Sequence, residues 1–198
     1  MSVASSALPV SVGPNEIKDG LAMKSSTRGL LFSLLAGAIA VSGLTPALAQ
    51  DAGAKSLGTF KAWTAWQGAD ANGMICYISA TPTASEPKGA NRDPIHFLVI
   101  HRKGLGTKNE VQTLIGYPYN AQSPNASAAI DGKTYPMVTE GSAAWLASAG
   151  DEGGFVAAMK AGSNLVVKGT SQRGTNTSDT YSLGGVTAAM AAIDKACS

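Results

Sequence analysis

Residues 94–102 read PIHFLVIHR, that is Pro94-Ile95-His96-Phe97-Leu98-Val99-Ile100-His101-Arg102, and they hold the chain's only two histidines. A short apolar run rich in β-branched and aromatic residues, with Pro before it and Gly104 after it, predicts a strand. Side chains alternate across a strand, so His96, Leu98 and Ile100 share one face and Phe97, Val99 and His101 share the other. The two imidazoles are an odd number of residues apart and point to opposite sides. They cannot ligate one metal ion together without a bulge between them, and no glycine interrupts Phe97-Leu98-Val99-Ile100. Both histidines are therefore expected to be structural. The open question is which one is buried and what satisfies it.

Working outward, the β pattern recurs on both sides. Residues 59–64 (TFKAWT) alternate and predict a first strand, followed by a turn-rich stretch at 67–73. Residues 74–79 (MICYIS) predict a second strand, and 81–93, with Pro82, Pro87 and Gly89, a loop. The third strand is 95–101 and the connection after it 103–108. A fourth strand is expected over 110–117, with Val111, Thr113, Ile115 and Tyr117 on one face. Residues 127–130 and 133–138 flank Asp131-Gly132, a strong signal for a type I′ hairpin. Pro136 places its strand at an edge or at a bulge.

Residues 155–160 predict a short helix, with Gly162 as its stop. Strands at 164–170 and 179–183 flank a polar loop at 171–178. Val186, Ala189, Met190 and Ile193 make one apolar helical stripe at the C-terminus, and Cys197 falls on the same face. About eight short strands without regularly alternating helices predict a mainly β fold, an antiparallel β-sandwich with two short helices, one of them C-terminal.

The N-terminus reads as a targeting segment. Lys24 and Arg28 precede the apolar run 29–44, and Ala47-Leu48-Ala49 supplies an A-x-A site, so residues 23–49 are expected to be a signal peptide cut between Ala49 and Gln50. The alternative is a membrane anchor, for which the run is short and broken by Ser33 and Ser42. Residues 1–22 read as an over-extended start before Met23, or as a longer leader. Residues 50–58 read as a flexible N-terminus, and 59–198 as a single domain. The expected mature chain, 50–198, carries 12 Lys and Arg against 11 Asp and Glu, so no basic face for nucleic acid is implied. Export and an even cysteine count predict a disulfide between Cys76 and Cys197, two free thiols being the alternative.

Little else carries chemistry. No G-x-S-x-G elbow is present, and Gly141-Ser142 lacks its second glycine. Asp151-Glu152 at a helix start reads as a pair favoured by the helix dipole. Gly104-Leu105-Gly106-Thr107-Lys108 is not a phosphate-binding loop. Asn125-Ala126-Ser127 and Asn176-Thr177-Ser178 match the glycosylation sequon. Trp63, Trp66 and Trp145 are core candidates, or the walls of a glycan or partner site.

Several stretches together resemble the invasion-associated locus B family of secreted Gram-negative bacterial proteins. They are Asn109-Glu110-Val111, Gly116-Tyr117-Pro118, Ile130-Asp131-Gly132-Lys133, and Gly141 through Trp145-Leu146. The tail follows: Met159-Lys160-Ala161-Gly162, Val166-Val167-Lys168-Gly169-Thr170-Ser171, Arg173-Gly174-Thr175, Asp179-Thr180-Tyr181-Ser182-Leu183 and Ala192-Ile193-Asp194-Lys195-Ala196-Cys197. The resemblance runs from about Phe60 to the C-terminus. The Phe60-Lys61-Ala62-Trp63 start departs from it, because family members often carry an acid or glycine nearer that Trp.

The resemblance implies an exported envelope protein with an immunoglobulin-like β-sandwich, and no catalytic, cofactor or metal residues. The function expected is a non-enzymatic one, through protein–protein contacts with an envelope or host protein, in host-cell invasion or envelope maintenance. The membrane is met only during export, and the location is periplasmic, outer-envelope or secreted. The alternative is a periplasmic module that binds a small molecule or glycan.

Overall fold

A computed structural model describes residues 53–122 and 126–198. The expectations for 1–22, for the leader 23–49 and for the Ala49/Gln50 junction lie outside those residues, as does Asn125 of the first sequon. The first strands are β1 (Lys55–Phe60), β2 (Trp63–Asp70), β3 (Gly73–Ala80) and β4 (Ala84–Glu86). Next come β5 (His96–Arg102), β6 (Thr107–Leu114), β7 (Ala126–Ile130), β8 (Lys133–Glu140) and β9 (Ala143–Leu146). Helix α1 (Glu152–Ala161), β10 (Asn164–Thr170), β11 (Asn176–Ser182) and helix α2 (Val186–Ala196) complete the order.

The eleven strands bond in the order β1-β2-β3-β5-β6-β9-β8-β7-β10-β11-β4. β8 turns the corner between two layers. Its first half, Lys133 to Pro136, pairs with β7, and its second half, Met137 to Glu140, pairs with β9. Pro136 sits at the switch, where its missing N–H breaks no ladder and its carbonyl accepts from Ala147 N–H at 3.0 Å. A first sheet, β1-β2-β3-β5-β6-β9, thus faces a second, β7-β10-β11-β4, as a β-sandwich. The two inner faces meet through aromatic rings. Phe97 lies 5.7 Å from Tyr181 and 6.0 Å from Phe155, and Phe155 lies 4.8 Å from Tyr135. Trp63 is fully buried, and its Nε1–H crosses between the layers to the Ser182 carbonyl at 2.9 Å.

The Asp131-Gly132 hairpin forms in the expected register, Ile130 opposite Lys133, with φ of 45° and 93° at the two turn residues. Other elements differ from expectation. The stretch 59–64 is two strands, because Lys61 takes φ 53° and reverses the chain between β1 and β2. β1 starts at Lys55, inside the 50–58 stretch, and β2 runs on to Asp70 through most of the expected turn. β4 falls in the expected 81–93 loop, β9 is an additional strand, and β11 starts at Asn176. Gly162 follows α1 in an extended conformation. A side chain there would crowd Ile130 and the Asp131 carboxylate, so packing against the hairpin is what calls for glycine.

α2 buries Val186, Ala189, Met190 and Ile193 against the inner side of β1, β2 and β3. Cys197 follows on the same face and is disulfide-bonded to Cys76 of β3, with Cα atoms 6.0 Å apart.

Candidate functional site

The two histidines stand on opposite faces of β5. His101 is 1% exposed and faces inward with Phe97 and Val99, while His96 is half-buried on the outer side. Two residues of β6, Lys108 and Asn109, stand opposite His101 where the register shifts, with Asn109 at φ 65°. That bulge aims the Asn109 backbone N–H at His101 Nδ1, 3.1 Å away. Nδ1 is thereby the acceptor, so Nε2 carries the proton and donates to Asp194 of α2 at 2.8 Å. Both ring nitrogens are engaged, Nδ1 by the β6 bulge and Nε2 by Asp194 of α2 beside the disulfide. Among the described residues no three His, Cys, Asp or Glu side chains come together in a metal-binding arrangement.

The other sequence candidates are scattered. Trp63 is core, whereas Trp66 and Trp145 project from the outer face of the first sheet. Gly141-Ser142 is the β8–β9 turn. Asp151 precedes α1 without a side-chain cap, and burial raises the Glu152 carboxyl above the usual range. Thr177 of the second sequon is buried on β11 and bonded to the Tyr117 hydroxyl at 2.6 Å.

The outer faces of the two sheets differ in kind. The second sheet shows Ser127, Thr134, Lys168, Thr170, Ser178 and Thr180, with Ala129 and Val166 as its apolar members, the mostly polar exterior expected of an antiparallel sheet with one face in water. The first sheet does not. One row across it runs Thr64, Ser79, Leu98, Gln112, Trp145, Val138, and the next runs Trp66, Tyr77, Ile100, Glu110. Ile75 and Leu114 extend this apolar band to either side. Trp66 stacks on Tyr77 at 6.3 Å, its Nε1–H donating to Ser79 Oγ at 2.9 Å, and Val138 is 52% exposed. Both helices pack on the inner side. At one margin Arg102 holds Glu110 with two bonds of 2.7 and 3.0 Å and Asp70 with one of 2.5 Å. The Glu110 hydrogen bond is the largest cause of the raised Arg102 pKa. The result is a polar rim beside a band of aromatic and aliphatic side chains.

A second region lies at one end of the sandwich. Arg92, in the β4–β5 loop, donates Nε–H and Nη2–H to the Ile115 carbonyl at 3.0 and 2.8 Å, and Nη1–H and Nη2–H to Asp179 at 2.9 and 2.6 Å. Ile115 directly follows β6 of the first sheet and Asp179 lies in β11 of the second, so one guanidinium staples the layers together. It is 6% exposed, Asp179 is fully buried, and the Tyr117 ring lies 5.1 Å beneath it. Gly116, at φ 79°, lets the loop close in: a β-carbon there would overlap the Asp93 carbonyl. Behind the staple lie the buried hydroxyls of Tyr119 and Tyr181, the first with no hydrogen-bond partner among the described residues. Burial drives both phenol pKa values strongly upward. In front of it opens a cleft of about 530 Å³. Asp179, Tyr117 and Arg173 fall in stretches that carry the family resemblance, but no sequence signal brought them together with Arg92, which is 87 residues from Asp179.

No curated protein and no solved structure matches the chain. A family model described as Invasion associated locus B (IalB) protein matches residues 63–194, which take in both regions and run from the start of β2 into α2. The chain therefore belongs to the invasion associated locus B (IalB) family.

Proposed function

We propose that this is a non-enzymatic, exported envelope protein that works by docking the outer face of its first sheet onto a protein partner, in host contact or envelope upkeep. The observation that carries the reading is the contrast between the two outer faces. A sheet that met only water would carry mostly polar residues outward, as β10 and β11 do, yet the first sheet places Trp66, Tyr77, Leu98, Trp145 and Val138 on its exterior, around an Ile100 that is itself buried. Tryptophan and tyrosine are the residues most enriched among interface hot spots. The ionisable groups nearest to a catalytic arrangement are already committed: His101 through both nitrogens, and Arg92 and Asp179 to each other. Release at Ala49/Gln50 would place the mature chain in the periplasm or outer envelope, where the Cys76–Cys197 disulfide persists.

Chemical crosslinking in intact cells that export the protein tests this. Leu98→Lys and Trp145→Lys, on the first sheet, should abolish the crosslinked adduct while leaving the melting temperature near that of the parent. Thr180→Lys, on the second sheet, should retain it. An adduct that survives the first two substitutions and is lost with the third would place the contact on the other face and overturn the reading.

A further inference from the structure

We propose that the cleft in front of the Arg92 staple is a second binding site, independent of the docking face, and that it takes a neutral saccharide of one or two rings. Its volume, about 530 Å³, lies in the range of small-molecule sites. Three loops form it, at 87–93, 116–118 and 171–175. Each is tied down from behind. The first is held by the Arg92 staple and by the Asp93 N–H to Gly116 carbonyl bond of 2.9 Å, and the second by the Tyr117–Thr177 bond. The third is held by Gln172 N–H to the Pro118 carbonyl at 2.8 Å and by Thr175 N–H to Ser171 Oγ at 3.1 Å. A site built this way is pre-organised, so little ordering cost falls on the ligand.

The lining decides the ligand class. The side chains of Asn91, Gln172 and Arg173 are exposed and make no hydrogen bond or ion pair among the described residues. Asp93 adds an exposed acceptor, and Pro87 and Pro118 add apolar walls. Two arginines, 92 and 173, meet two aspartates, 93 and 179, so the region carries no net charge to select an ion. Amides supply donors and acceptors together, which is what sugar hydroxyls, each both donor and acceptor, require. The prolines offer surface to the C–H faces of a ring. None of the three tryptophans lines the cleft.

The test is an NMR titration of the isotope-labelled residue 50–198 chain with maltose, lactose and chitobiose in turn, and with glucuronate as the charged comparison. The expected result is saturable amide shifts confined to the three loops with at least one neutral disaccharide. Asn91→Ala/Gln172→Ala should weaken that binding about tenfold or more, as lost polar contacts do, with an unchanged melting temperature. Leu98→Lys on the docking face should leave it intact. No shifts with any neutral disaccharide, shifts clustered on Trp66 and Trp145, or binding of glucuronate alone would each overturn the proposal.

Discussion

His101 shows how one residue can be satisfied by a local irregularity. Its Nδ1 would be an orphaned buried acceptor on a regular ladder, and the β6 bulge at Asn109 supplies the missing donor. Replacing it with alanine strips the Asn109 N–H of its partner and opens a cavity where a 1% exposed ring stood. His101→Ala is expected to cost at least the 1–3 kcal/mol of an unsatisfied group, and His96→Ala clearly less, as urea midpoints will show. Parity placed the imidazoles on opposite sides. It could not say which was inside, because Leu98 and Ile100 on one face are as apolar as Phe97 and Val99 on the other. Only the fate of the outer face, half-exposed and apolar, resolves that.

Tyr119 and Tyr181 make a second residue-scale prediction. Their phenols are held protonated, first by burial, then for Tyr119 by Tyr117 and for Tyr181 by the Asp179 charge. In the unfolded chain both ionise near pH 10. Above that pH the unfolded state has lost protons that the folded state keeps, so stability falls as pH rises. Absorbance at 295 nm during alkaline titration should show the slowest-ionising of the five tyrosines appearing only with unfolding. Smooth ionisation of all five before unfolding would contradict this.

At the scale of elements, α2 is fixed by an apolar stripe, the His101–Asp194 bond and the disulfide. The crosslink spans 121 residues, and on the chain-entropy model closing such a loop stabilises by about 4–5 kcal/mol. Cys76→Ser/Cys197→Ser should therefore lower the urea midpoint markedly. Hydrogen exchange in α2 and β3 should rise more than in β10 and β11, which the bond does not touch. An unchanged midpoint would show that packing alone holds the helix.

The elements that were legible in the sequence carry a chemical reason for their shape. Asp131-Gly132 marks its hairpin because few other pairs tolerate positive φ twice, and the α2 stripe repeats at helical spacing. β1 and β2 read as one strand because the Lys61-Ala62 reversal contains no Gly, Pro, Asn or Asp. β9 was not legible because Ala143-Ala144-Trp145-Leu146 has no period of its own and becomes a strand only by lying between β6 and β8.

At the scale of the whole molecule, the organising fact is the asymmetry of the two outer faces. Strand alternation groups Phe97 with Val99, and Val111 with Thr113 and Ile115, and these sets line the core. The docking face could not be read the same way. An outward Leu98 or Trp145 looks in sequence like an inward one until the partner layer is known to lie on the other side. The Arg92 cleft was hidden for a different reason, since its three loops meet only through the sandwich topology.

The most direct test of the docking account is a photo-crosslinking scan in exporting cells, with a photoreactive residue placed singly at Thr64, Leu98, Gln112 and Val138 on the first sheet and at Ser127, Lys168, Ser178 and Thr180 on the second. The account predicts one discrete adduct, formed from the first set and strongest at Leu98 and Val138. Adducts distributed equally over both sets, or formed from the second set alone, would contradict it.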